Sequence, residues 1–137
     1  MNDKFTVKSQ EAIRQAFKEA VDRGHQEVSG EHMLYALVSE RDGVCHEVLK
    51  KIGTDIASLK SRLEECFSKK PRIKGETLEP YMSPELTRII SRAGKEAAAL
   101  KDEYVSVEHI LLAMLRETSG TVWEILKESA LTAEGFL

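Results

Sequence analysis

Cysteine is scarce: the 137 residues hold two, Cys45 and Cys66. Both stand in the first half of the chain, and the second half has Val122 at the position corresponding to Cys45. A disulfide framework would not be confined to one copy of a repeat. With no signal-peptide pattern at the start, two reduced, partly buried thiols in the cytoplasm are expected. Aromatics make up only 6% of the residues, with one tryptophan, and prolines number three. No apolar stretch approaches the length of a membrane span. Basic charge is not in excess either: 20 Lys and Arg against 23 Asp and Glu leave a formal charge of -3, which argues against nucleic acid as a partner. The run Lys69-Lys70-Pro71-Arg72-Ile73-Lys74 is basic but short, and is expected to be a solvated connector. Phosphate-cradling GxxxxGK, HExxH, GxSxG and CxxC patterns are all missing, which leaves no catalytic signature. A stand-alone helical enzyme is therefore disfavoured.

What is present is one pattern written twice. Val28-Ser29-Gly30-Glu31-His32-Met33-Leu34-Tyr35-Ala36-Leu37 returns as Val105-Ser106-Val107-Glu108-His109-Ile110-Leu111-Leu112-Ala113-Met114, displaced by 77 positions. The same displacement pairs Ile13 with Ile90, Ala16 with Ala93, Glu40 with Glu117 and Gly43 with Gly120. Register kept this far, without a gap, marks two copies of one helical unit. Their seam is the place to look for binding.

Within each copy the helix signals are local. Thr6 caps a first helix over 7–23, whose inward stripe is Ile13, Ala16, Phe17, Ala20 and Val21. Ser29 caps a second, carrying Met33, Leu34, Leu37 and Val38. A third follows Gly43, with Val48, Leu49 and Ile52 inward, and stops at Gly53. Asp55 caps a fourth, running from 56 to 67. In the second copy Ser83-Pro84-Glu85 is a helix start of cap, proline and acid, with Leu86, Ile89, Ile90, Ala93, Ala97 and Leu100 facing inward. Ser106 caps the sixth helix, Gly120 precedes the seventh, and Thr132 begins an eighth that reaches only Leu137. The division expected is repeat one over 5–67, a connector of little regular structure over 68–82, and repeat two over 83–137. The short last helix reads as a cut from the front of a longer protein.

The doubled Glu31-His32 and Glu108-His109 is the one cluster that suggests a metal. Neighbouring helical residues point about 100° apart, so a dipeptide of this kind does not chelate one ion, and no metal is expected. Behind the Ser29 and Ser106 caps, each glutamate sits where backbone N–H groups and the helix dipole favour a carboxylate. Each histidine is expected to serve the cap or the core. Trp123, which replaces His46 of the first copy, lies outside the shared core.

Together these residues resemble the Clp N-terminal domain, the double Clp repeat at the front of Clp-family AAA+ unfoldases and chaperones. The resemblance is carried by Phe5-Thr6, by the two Val-Ser-x-Glu-His helices and by Tyr81-Met82-Ser83-Pro84-Glu85-Leu86. The segment from Asp102 to Leu115 and the stretch Pro71-Arg72-Ile73-Lys74-Gly75 are most similar to the ClpB branch, the protein disaggregases. The resemblance implies an all-α fold of two pseudo-twofold-related four-helix repeats, eight helices in all with the last truncated. It implies a domain without chemistry of its own, tethered to a homohexameric ring whose absent ATPase domains use ATP and magnesium. Such a domain, monomeric in isolation, catches unfolded or aggregated polypeptide or an adaptor protein. The alternative is an adaptor- or substrate-docking domain of a ClpA- or ClpC-like unfoldase serving a protease. Family positions linked to substrate handling fall on Thr6, Asp102 and Glu108. Those implicated in phosphoarginine recognition in the ClpC branch fall on Thr6 with Glu31 and on Ser83 with Glu108. A groove for unfolded segments is expected along the exposed edges of the first and fifth helices, at Ile13, Phe17, Leu86 and Ile90.

Overall fold

A computed structural model describes residues 4–73 and 79–128. Seven helices are found among them: α1 (Val7–Asp22), α2 (Gly30–Ser39), α3 (Val44–Lys51), α4 (Ile56–Ser68), α5 (Pro84–Ala99), α6 (Val107–Arg116) and α7 (Thr121–Glu128). Two short strands, β1 (Glu27–Val28) and β2 (Tyr81–Met82), pair in parallel. The all-α architecture read from the sequence stands. The eighth helix expected from Thr132 lies outside the described residues.

Three of the expected caps form through their side chains where the residue types place them, while Ser106 accepts the His109 N–H on its backbone oxygen instead. Thr6 Oγ1 accepts from the Ser9 N–H at 3.1 Å, Asp55 Oδ1 from that of Ser58 at 3.1 Å, and Ser83 Oγ from that of Leu86 at 3.0 Å. Each satisfies a backbone donor that the first helical turn leaves without a partner. Helices α2 and α6 are the axis of the fold. On α2 every residue from Gly30 to Val38 is buried except Tyr35, and on α6 every residue from His109 to Leu115. Around them lie α1 on α2 and α5 on α6, while α3 crosses onto α6 and α7 onto α2. Each repeat therefore completes the other's core.

The same exchange appears in the strands. Val28 pairs with Met82, and Phe5 bridges Val105 in parallel. Ser83 N–H donates to Val28 O at 2.9 Å, and Thr6 N–H to Val105 O at 3.0 Å. A displacement of 77 positions converts each contact into the other, as a near-twofold relation requires. The start of each repeat thus hydrogen bonds to the strand ahead of its partner's central helix. At the end of the expected connector over 68–82, Tyr81–Met82 is drawn in as a two-residue strand.

Three apolar residues expected to face inward do not. Val21, Ile52 and Leu100 are 39%, 45% and 49% exposed. Each lies at the last turn of its helix or at the cap just past it, where the periodic stripe runs beyond the packed neighbours.

Candidate functional site

The second repeat opens, at its junction with the first, into a hollow of about 500 Å³. It is lined by Thr6, Leu100, Asp102, Glu103, Tyr104, Ser106, Glu108, His109 and Leu112. Thr6, Asp102 and Glu108, three positions singled out in the sequence, come together here from opposite ends of the chain. Thr6 enters because its N–H is tied to Val105 O. Its hydroxyl is already engaged as the cap of α1, so it forms wall as well as contact surface.

Asp102 is held from below. The Ser106 N–H donates to His109 Nδ1 at 2.9 Å. That leaves the imidazole proton on Nε2, which donates to Asp102 Oδ2 at 2.8 Å. His109 is buried, while the Asp102 side chain stays 52% exposed. The histidine thus aims a carboxylate at solvent, and the cap expected of it is one half of that arrangement. Glu108 is half-buried at the first turn of α6, where free backbone N–H groups favour its charge. Leu100 and Tyr104, 49% and 53% exposed, supply apolar surface at the mouth. Among the described residues, the lining holds three carboxylates and no lysine or arginine, so the hollow suits an extended chain with apolar and cationic groups.

The other expected site residues lie elsewhere. Glu31 and Ser83 occupy the corresponding place in the first repeat, and both are buried, Glu31 at 6% exposure. Glu31 pairs with Lys70 Nζ at 3.4 Å, so the basic connector is not simply solvated there. The expected groove on α1 and α5 is corrected at two positions. Ile13 and Leu86 are 2% and 0% exposed and belong to the core, because they sit at the centre of the inward stripes. Phe17 and Ile90 are half-buried against that core and do not line the hollow. Sequence reading did not single out Leu100, Glu103, Ser106, His109 or Leu112 as lining the hollow. No sequence signal pairs His109 with Asp102, because the position 77 residues earlier holds the unlike His25.

No cluster of three or more His, Cys, Asp or Glu side chains among the described residues is arranged to hold a metal ion. Both cysteines are free. Burial, with Glu108 and Glu40 nearby, pushes the Cys45 thiol up to about 12, so it remains a thiol, 3.6 Å from Val107 O. No helix among the described residues is long and apolar enough to cross a membrane.

The fold and the doubled repeat agree with comparison to known proteins. The family model of the Clp repeat (R) N-terminal domain matches residues 4–129, and the chain belongs to this family. It is 38% identical over 138 residues to the chaperone protein ClpB of Bacillus anthracis, covering 98% of this chain and 16% of that protein. The chain thus spans about a sixth of the length of such relatives. Among solved structures, the Hsp104 N-terminal domain from Candida albicans superposes with a TM-score of 0.82 at 22% identity, covering 98% of this chain and 87% of that one. A complex of the ClpV N-domain with a VipB peptide superposes with a TM-score of 0.74 at 22% identity, covering 96% and 81%. The chain is a Clp N-domain of the kind carried by ClpB-type chaperones.

Proposed function

We propose that this domain recruits substrate for a ClpB-like protein disaggregase, binding unfolded or aggregated polypeptide and passing it to a hexameric ATP-driven ring. The observation that carries the reading is the convergence of Thr6, Asp102 and Glu108 on one acidic, partly apolar hollow. Identity of 38% to a ClpB chaperone supports the disaggregase branch over a protease-linked unfoldase. That a related N-domain fold is described in complex with a peptide is consistent with a peptide-binding role. In this reading the domain does no bond chemistry, and ATP and magnesium serve domains outside this chain. Recruitment of many unrelated clients calls for modest affinity and fast release, which a shallow, partly apolar hollow with exposed carboxylates provides.

The test is a titration with an unfolded, non-aggregating polypeptide, followed by amide chemical shifts. Shifts centred on Thr6, Asp102 and Glu108 are expected, and Glu108→Lys should weaken binding about tenfold or more while leaving the thermal midpoint nearly unchanged. Equal binding by Glu108→Lys, or shifts scattered over α3 and α4, would overturn the assignment.

A further inference from the structure

Two buried histidines lie under the start of the connector, joined in one chain of hydrogen bonds. The Ser29 N–H donates to His32 Nδ1 at 2.9 Å, which leaves the His32 proton on Nε2, facing His25 Nδ1 at 2.9 Å. His25 therefore keeps its own proton on Nε2 and bonds to the Phe67 backbone at the end of α4. Each neutral ring donates once and accepts once, so the chain is full. A further proton sets one N–H against another. The tautomer of His32 that admits it donates from Nδ1 to Ser29 Oγ, 2.8 Å away, and leaves the Ser29 N–H without its acceptor.

The connector is laid over this pair. Phe67 stacks on His32, with ring centroids 4.7 Å apart. Beyond α4, Lys70 Nζ reaches Glu31 Oε2 at 3.4 Å, Arg72 Nε donates to Arg23 O at 3.1 Å, and the Ile73 N–H donates to Gly24 O at 2.8 Å. A Cβ on Gly24 would lie 3.3 Å from Ile73 O, so the segment runs close against the turn that follows α1. Hollows of about 380 and 290 Å³ beside it both reach His25, which gives a proton its route.

Charges face the pair from every neighbouring element. The cations are Arg23 at the end of α1 and Lys70 and Arg72 on the connector. Most nearby carboxylates are taken up by cations: Glu19 and Glu64 pair with Arg23, Glu31 with Lys70, and Asp22 with Lys18. Glu27 of β1 is exposed at the smaller hollow. Cys66 of α4 adds no charge, since burial and Glu31 push its thiol up. Burial, then Lys70, Arg23 and Arg72, hold His25 below its ordinary value. Freeing the connector removes Lys70 and Arg72 and uncovers the ring, so the released form takes a proton at a higher pH than the covered form. Cover is therefore fully favoured above about pH 6.5 and loses ground as pH falls.

We propose that residues 69–73 are an acid-released strap, closed while the two histidines are neutral and let go when a proton enters between them, with the rest of the fold intact. The device depends neither on the client site nor on the second repeat.

Amide exchange and histidine ring-nitrogen shifts of the labelled chain, followed from about pH 7.5 to about pH 5, test it. After correction for the intrinsic rate, protection of the Ile73 N–H should fall by up to about tenfold per pH unit. The core amides of α6, from Leu111 to Leu115, should keep theirs, and His25 should gain its second ring proton over the same range. Protection lost equally in α6 would mean that the whole domain opens. Protection of Ile73 kept while His25 becomes charged would mean that the segment does not sense the proton. Either result overturns the strap. His25→Gln supplies a side chain that accepts and donates without titrating, so Ile73 protection should then change by less than about twofold. An undiminished fall in that variant would overturn the strap as well, and the parent chain decides the question even where the variant does not fold.

Discussion

His32 and His109 hold the same place in the two repeats, yet their partners differ. Each Nδ1 accepts from the N–H of its capping serine at 2.9 Å, which puts the proton on Nε2. In the second repeat that proton meets Asp102. In the first it meets His25 Nδ1 at 2.9 Å, and His25 in turn bonds to the Phe67 backbone. Burial holds His32 down at about 3, aided by His25, Lys70 and Arg23. His25 is also lowered, first by burial and then by Lys70, Arg23 and Arg72. The folded state therefore binds fewer protons than the unfolded chain between about pH 3 and 6.5. Stability from this pair is complete above about pH 6.5 and is lost as pH falls through that window. Thermal melts should show the midpoint dropping from about pH 6.5 downward. His25→Asp, which installs the second repeat's partner, should favour a charged His32 and move the acid limb to lower pH. An unchanged acid limb in that variant would contradict the linkage. The capping role of the histidines was legible from the Ser-x-x-His spacing. Their partners were not, because the displacement that relates His25 to Asp102 joins unlike residues.

At the scale of elements, the interlock of the repeats is fitted by an exchange of volume. Gly30 at the start of α2 faces Val122 of α7, and a Cβ on it would come within 2.6 Å of Val122 Cγ2 and 3.2 Å of Ile89 Cδ1. The counterpart contact has Val107 in place of Gly30 and Cys45 in place of Val122. A small residue meets a large one in both, with the sides reversed. Gly30→Val should cost about 1–3 kcal/mol through overpacking. Adding Val122→Cys, which recreates the Val107–Cys45 pair, should recover most of it in urea denaturation. If the double variant is no better than the single, volume is not what the glycine supplies. The start of α7 shows a second device of this kind. Glu85 on α5 accepts from Thr121 Oγ1 at 2.9 Å and from the Val122 N–H at 3.1 Å. Gly120 leaves room for it, since a Cβ there would fall 2.1 Å from Glu85 Oε2. From the sequence Gly120 was visible as the counterpart of Gly43 and as the residue before a helix. What it makes room for comes from another helix, which no local signal reports.

Across the whole molecule, neither repeat owns a complete core. The α2 helix is covered by α7 and α5 of the other copy, and Val28 O and Val105 O each take a hydrogen bond from the other copy's start. A chain of residues 1–73 alone should therefore remain largely unfolded, since it leaves apolar surface of α2 and α3 in water. Far-UV circular dichroism and amide dispersion would check this, and a half-length chain with a cooperative melt would refute it. The intact domain should melt in one transition, because both halves lose their cores together.

The helices, their caps, the duplication and the family were all determined by the sequence alone. The physical reason is that apolar periodicity and capping are local, and a repeat states them twice. The sequence also marked two equivalent acids, Glu31 and Glu108, at two equivalent helix starts. Only the tertiary structure decided that Glu31 is closed by Lys70 while, among the described residues, Glu108 lines a hollow. The path of the connector over the first repeat and the unlike residues at matched positions depend on contacts far apart in the chain, and the spacing of the repeat carries neither.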